Sequence, residues 1–300
     1  MICVLDLDRG VDAYARIGFG VHPGGVHPGK GTHNAIAFMD DDYLELLAIR
    51  DRGEYLARSP YGGLVEFLER GGGLRYIVVQ SDDLAADAAA MRARGVELSG
   101  PADGARRTPS GQELRWKAAT LGKRNALPVF FIQHVTPLHE RRRQAPAAGR
   151  HPNGMQRIER CYIVVDDLEA AVGQYRKVLG VEPQRERGTV INADMAIFPL
   201  GPTGLGVVRP VAPGVAANAL ARRGPGPFQV LYRTAGMEAA AKWIADQGLP
   251  PPARGTRNTG EQAMLVPPEH ACGVYVGFCR NALALGPYAN ARFPFPIGLP

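Results

Sequence analysis

Glu45 stands between two leucines in Leu44-Glu45-Leu46, where strand alternation puts its carboxylate on the face opposite both. If that face is covered, the carboxylate needs a metal, a cation or a proton donor, because burying it unpaired is costly. If it is not, Glu45 points to solvent. His33 follows an abrupt strand start, Gly29-Lys30-Gly31-Thr32, and lies across the Met39 to Asp42 turn from Glu45. Imidazole plus carboxylate suits either a divalent metal with open positions or a proton-transfer pair. Register decides whether the two meet. With Ala35 or Ala37 opposite Glu45, His33 shares its face; with Ile36 opposite, Asn34 shares it instead. A His hydrogen-bonded to hairpin backbone is the alternative for His33.

The elements that would position these groups recur four times. An apolar run, an acidic-Leu pair and an Ala-rich amphipathic helix ending at Gly appear from Ile2 to Gly18, Tyr76 to Gly95, Tyr162 to Gly180 and Phe228 to Gly248. Asp6, Asp83 and Asp167 can cap the helix starts, and the terminal Gly supplies a left-handed cap. Strand-like segments follow each helix: Ala35 to Phe38 and Tyr43 to Ile49, Glu113 to Ala118 and Val129 to His134, Met195 to Leu200 and Leu205 to Val208, Ala263 to Val266 and Gly273 to Phe278. Each unit reads βαβββ. One such unit cannot cover its own sheet face, so units should pair and enclose a cavity. The expectation is an α+β chain of four tandem modules forming two paired-sheet domains, 1–135 (modules about 1–50 and 72–135) and 157–280 (modules about 157–211 and 225–280). Residues 136–156 read as a linker and 281–300 as a Pro-rich tail.

Gly31-Thr32-His33-Asn34-Ala35, Tyr43-Leu44-Glu45-Leu46, Gly104 to Trp116 and Leu127-Pro128-Val129-Phe130-Phe131-Ile132 resemble the glyoxalase-like subgroup of the vicinal oxygen chelate superfamily. This superfamily contains glyoxalase I, extradiol dioxygenases, epimerases and drug-resistance binding proteins. The resemblance implies a metal held by a His on a unit's first strand and a Glu on its last. Family spacing places that His seven residues before the Asp of Asp-Leu. Counted so, the position precedes Met1 in the first unit and is Tyr76, Arg160 and Gln229 in the others. On the last strands Glu45 matches the family's Glu, while Gln133, Val207 or Val208, and Tyr275 or Gly277 stand elsewhere. The resemblance therefore points to the first pair of units, with Glu45 and His33 as catalytic or metal-binding residues and Asn34, Trp116, Tyr76 and Gln133 as ligand-binding ones. The second pair reads as metal-free.

Other polar residues read as structural. Trp116 sits on the apolar face of an alternating strand and could wall a cavity or simply be core. Arg106 and Arg107 read as a solvated loop pair that could otherwise attract an anion, and His22 and His27, repeated in Val-His-Pro-Gly, as loop residues. His139 and His151 read as solvated linker residues. The net charge is +6, but the one dense basic run, Arg141-Arg142-Arg143, lies in the expected linker, so no nucleic-acid face is expected. Cys3, Cys161, Cys272 and Cys279 lack metal-type spacing and read as reduced thiols, and with no leader or membrane span evident, the expectation is a cytoplasmic monomer or homodimer. No phosphate-binding Gly loop or hydrolase elbow is present. Two readings stand: an enzyme of lyase, isomerase or dioxygenase type acting on a small oxygenated molecule, with a divalent metal or with no cofactor, or a metal-free protein that sequesters a small molecule.

Overall fold

In the computed structural model, residues 1–39, 42–59, 63–143, 151–257 and 260–280 are described. The tail 281–300, Asp40 and Asp41 of the expected turn, and 144–150 of the expected linker lie outside them. The first unit comprises β1 (Ile2–Cys3), α1 (Leu7–Ile17), β2 (His22–His27), β3 (Thr32–Phe38) and β4 (Tyr43–Ile49). Then come α2 (Arg52–Arg58), α3 (Gly63–Glu69) and β5 (Gly73–Leu74), and the second unit: β6 (Ile77–Gln80), α4 (Leu84–Ala93), β7 (Leu98–Arg107), β8 (Glu113–Leu121) and β9 (Val129–His134). A short α5 (Leu138–Arg141) precedes the third unit, which is β10 (Met155–Val164), α6 (Leu168–Leu179), β11 (Gln184–Gly188), β12 (Ala193–Leu200) and β13 (Thr203–Pro210). After α7 (Val215–Arg223) the fourth unit is β14 (Gly226–Thr234), α8 (Met237–Asp246), β15 (Ala253–Thr256), β16 (Gln262–Val266) and β17 (Tyr275–Cys279).

The helix starts follow the residues that cap them. Asp6, Asp83 and Asp167 accept from the backbone N–H three positions on, in α1, α4 and α6 respectively, and Gly18 and Gly180 close α1 and α6 in the left-handed region. Each such cap contributes about 1 kcal/mol.

Two sheets result. The eight-stranded one runs β11-β12-β13-β10-β14-β17-β16-β15, so the third and fourth units join through their first strands, with Tyr162 opposite Gln229. The nine-stranded one runs β5-β1-β4-β3-β2-β7-β8-β9-β6 and curls around a cavity. Its units touch at both ends of that curl. On one side Val26 pairs with Arg107; on the other, the Met1 amine donates to the Tyr76 carbonyl at 2.8 Å. The first contact requires Gly25, where a Cβ would lie 1.8 Å from the Arg107 carbonyl oxygen. The two sheets are the paired-sheet α+β architecture expected from the repeat.

The helices of the two pairs pack on each other, α1 against α8 and α4 against α6. One core therefore includes Tyr14, Ile17, Leu84, Met91, Tyr175, Val178 and Ile244, with Phe19 edge-on to Tyr232 at 5.0 Å. His151, expected in a solvated linker, is buried within this junction. Its Nδ1 accepts from Gly20 N–H at 3.0 Å, which leaves Nε2–H to donate to the Phe38 carbonyl at 2.8 Å. The Val-His-Pro-Gly segment expected as a loop is instead β2, because its backbone pairs along β3.

Candidate functional site

The cavity of the first sheet, about 490 Å³, is lined by alternate residues of its strands. Thr32, Asn34, Ile36 and Phe38 of β3 face it, as do Tyr43, Glu45 and Leu47 of β4. The register sets Ile36 opposite Glu45. Asn34 is therefore Glu45's neighbour on the same face, and its Nδ2 donates to Glu45 Oε1 at 2.7 Å. Glu45 is buried, at 8% exposure, and its other oxygen has no side-chain hydrogen bond among the described residues. Gly24 packs on the Asn34 carboxamide, since a Cβ there would lie 2.2 Å from Oδ1. The amide is thus wedged in the orientation that presents N–H to the carboxylate.

Most of the remaining polar groups are donors. Arg106, near the end of β7, is 7% exposed and donates to the Gly24 carbonyl. Arg141, on α5, is 9% exposed, and its Nε donates to the Thr136 carbonyl at 3.2 Å. Burial lowers the pKa of both guanidinium groups. His134 at the end of β9 stands edge-on to Tyr43, with ring centroids 5.7 Å apart. Burial, reinforced by Arg141 and Arg106, pushes its pKa down to about 3 and keeps it neutral. Burial and the nearby Glu45 raise the Tyr43 hydroxyl, so it stays protonated. His27 pairs through Nδ1 with Thr32 Oγ1 at 3.0 Å, and burial, with help from Lys30 and Arg106 and against Glu45, lowers its pKa. Trp116 lies flat across Gly104, with Lys30 Nζ over its ring at 5.6 Å. The opposite wall is apolar, built around Leu114, Ile132 and the edge-on pair Tyr76 and Phe130.

Of the residues expected from sequence, Glu45, Asn34, Trp116 and Tyr76 meet here. His33 does not. It sits on the other face of β3, opposite Ala48, where burial and Arg50 lower its pKa against Asp8 and Asp6. Gln133 also faces away, accepting from Leu84 N–H at 3.2 Å and donating to the Asp82 carbonyl at 2.7 Å, so it fastens β9 to the start of α4. Arg106, expected to be solvated, is a buried cavity residue. His27 and Arg141, expected in a loop and in the linker, also line it, as does His134, which the sequence did not single out. Only His134 left a signal, being two and four residues beyond the cavity-facing Ile132 and Phe130.

The residues present do not fit the divalent metal that the resemblance implies. Among the described residues no group of three His, Cys, Asp or Glu side chains comes together. Glu45 is already held by an amide N–H, and the cations Lys30, Arg106 and Arg141 share its cavity. A divalent ion would add charge where positive charge already exceeds negative.

In the second sheet the corresponding cavity is smaller, about 280 Å³. Arg160 lies there at 1% exposure, and its two terminal nitrogens each reach a Glu186 oxygen at 2.9 Å. Gln229 also lines it.

A glyoxalase-like domain family profile matches residues 1–179, more than half of the chain. The chain belongs to the glyoxalase-like domain family. Residues 161–265 match a second profile, described as the glyoxalase, bleomycin resistance protein and dioxygenase superfamily, and both place the protein in the vicinal oxygen chelate superfamily. Among solved structures, a hypothetical protein from Staphylococcus aureus is similar over 92% of this chain and 96% of its own, at 16% identity and a TM-score of 0.63. That likeness concerns the fold. Methylmalonyl-CoA epimerase from Mycobacterium tuberculosis matches over 43% of this chain and 91% of its own, at 20% identity and TM-score 0.39. The Streptomyces coelicolor methylmalonyl-CoA epimerase bound to 2-nitronate-propionyl-CoA matches over 43% and 99%, at 24% identity and TM-score 0.39. No curated protein sequence matches significantly. No helix among the described residues is long and apolar enough to cross a membrane.

Proposed function

We propose that this glyoxalase-like protein is an enzyme of the isomerase or lyase type, in which Glu45 moves a proton on a small oxygenated molecule held in the first cavity. On this reading residues 1–135, joined by Arg141 from the following short helix, form the catalytic domain and 157–280 its non-catalytic partner. One observation carries the reading: a buried carboxylate has one oxygen pinned by Asn34 and the other open to a cavity with cationic groups on one side and an apolar wall on the other. A general base needs that arrangement, since fixing one oxygen aims the second.

The step uses the chain's own residues. Glu45 takes a proton from a carbon next to a carbonyl, and the C–H electron pair moves to the carbonyl oxygen as an enolate. Lys30 and Arg106 supply positive charge where that oxygen becomes negative, which is the largest contribution such sites make. The proton then returns to the same carbon or a neighbouring one. A dioxygenase reaction is not favoured, because the lining residues do not form a metal set.

The alternative, sequestering a small molecule, is favoured by the apolar wall of Tyr76, Phe130, Leu114 and Ile132. The two separate on one experiment. Chelator-treated protein is incubated in D2O with pyruvate, phenylpyruvate and methylglyoxal, and hydrogen exchange at the carbon beside the carbonyl is followed by NMR. Faster exchange that falls about 10²- to 10⁴-fold in Glu45→Gln supports the enzyme. Exchange unaffected by the substitution in all three compounds rejects it.

A further inference from the structure

Arg106 and Arg141 are both more than nine-tenths buried, yet neither lies within ion-pair distance of a carboxylate among the described residues. Each has a backbone carbonyl as its hydrogen-bond partner, Gly24 for Arg106 and Thr136 for Arg141. A guanidinium carries five N–H donors, so most of theirs are left to the cavity that both line. Buried charges in folded proteins are ordinarily paired. The same chain obeys that rule at Arg160, which Glu186 engages with both oxygens.

The neighbours of the two arginines sharpen the requirement. His134 lies close enough to both for their charge to oppose its protonation, and its Nε2 is buried without a hydrogen-bond partner. The Tyr43 hydroxyl, held in its protonated form, is a further donor facing the same cavity. Among the described residues Glu45 is the one carboxylate lining it, and its pinned oxygen is occupied by Asn34. A cluster this rich in donors is completed by an acceptor that also carries negative charge. The apolar wall limits the rest of the molecule to a hydrocarbon or aryl body.

We propose that the cavity takes an organic carboxylate, whose carboxylate group is bound between Arg106 and Arg141 and whose apolar body lies against Tyr76, Phe130 and Leu114. The inference rests on the reading of this cavity as the functional site and names the substrate class for it: a small carboxylic acid with an exchangeable C–H within reach of Glu45. Planar guanidinium groups match a carboxylate in two-point fashion, and two of them leave positive charge for the enolate that forms later.

Calorimetric titration of the full chain with phenylacetate, phenylacetamide and phenylphosphonate tests this. The expected result is that the acid binds at least about tenfold more tightly than the amide, with an affinity that falls as salt rises. Arg106→Gln and Arg141→Gln should each weaken acid binding about tenfold or more and leave amide binding unchanged, with partial recovery in Arg106→Lys. If a glutamine variant does not fold, the comparison of acid with amide on the unaltered protein still decides. Equal affinity for acid and amide overturns the proposal, and so does phosphonate bound more tightly than carboxylate. Glu45→Gln separates the two readings. It should bind phenylacetate as well as or better than the unaltered protein. If acid binding is intact while proton exchange never depends on Glu45, the enzyme reading fails and the anion site stands. If neutral carbonyl compounds exchange in a Glu45-dependent way and no acid binds, the anion site fails alone.

Discussion

The two cavities are built from the same βαβββ pair and solve the same problem of charge in opposite ways. In the second, Arg160 enters the cavity and Glu186 meets it with two hydrogen bonds of 2.9 Å, while Arg187 and Arg257, which also line it, are paired with Asp194 and Glu261, so each arginine there has its own carboxylate. In the first, Arg106 and Arg141 are also buried, their hydrogen-bond partners among the described residues are backbone carbonyls, and Glu45, the one lining carboxylate among those residues, has one oxygen held by an amide. The fold is indifferent to this choice. Whether a cavity closes its own electrostatics or leaves them for a ligand is set by a few side chains, so one scaffold can hold pockets of different charge balance.

The contrast can be broken at Glu45 with the largest effect. Glu45→Gln keeps the contact with Asn34 but removes the proposed base, and proton exchange should fall about 10²- to 10⁴-fold, read by NMR, with little change in melting temperature. At Glu186 the effect is on stability. Glu186→Gln leaves Arg160 buried without its counter-charge and should cost about 3 kcal/mol in denaturant unfolding, whereas Arg160→Met with Glu186→Leu should restore most of it. A loss equal in the single and double variants would show that the pair is not what balances this pocket. At the junction, His151→Ala strands the Gly20 N–H and the Phe38 carbonyl in a buried place, at about 2 kcal/mol in the same measurement.

A further effect, spread over several groups, is acid sensitivity. In the unfolded chain His134 takes up a proton near 6.5, but in the folded protein only near 3. Between those values the unfolded chain binds more protons, so stability is full above about 6.5 and declines as pH falls toward 3. His22, His27, His33 and His151 shift in the same direction. The melting temperature should therefore drop between pH 7.5 and 5, and His134→Leu should shrink that drop; an unchanged slope would mean the His134 environment is not as buried as described.

Much of this was readable in advance, and the reasons for the rest are specific. The one helix of each unit, with its Gly end and, in three of the four, its Asp cap, was legible because local chemistry decides it, whereas α2, α3, α5 and α7 between the units carried no such repeated signal. The last two strands of each unit carried apolar alternation. His22–His27 and Leu98–Arg107 did not, because Gly, Pro and charged residues there serve a close seam and a polar cavity wall, so β2 and β7 read as loops. The choice between His33 and Asn34 as the partner of Glu45 turned on a one-residue register that periodicity cannot set. Arg141 was hidden in a run of three arginines, since sequence does not reveal which of them a short helix turns inward.

The interlocked helices carry a last consequence. Because α1 packs on α8 and α4 on α6 in one core, with Arg94 donating to the carbonyls of Lys177 and Val178, the two halves are bound to melt as one body. The quiet half then acts as ballast: cutting it away would bare the backs of α1 and α4 and loosen the very strands that aim Glu45. On the proposed reading its worth to the molecule is mechanical, and substitutions in its own pocket should register in the other half as lost rigidity rather than as altered chemistry.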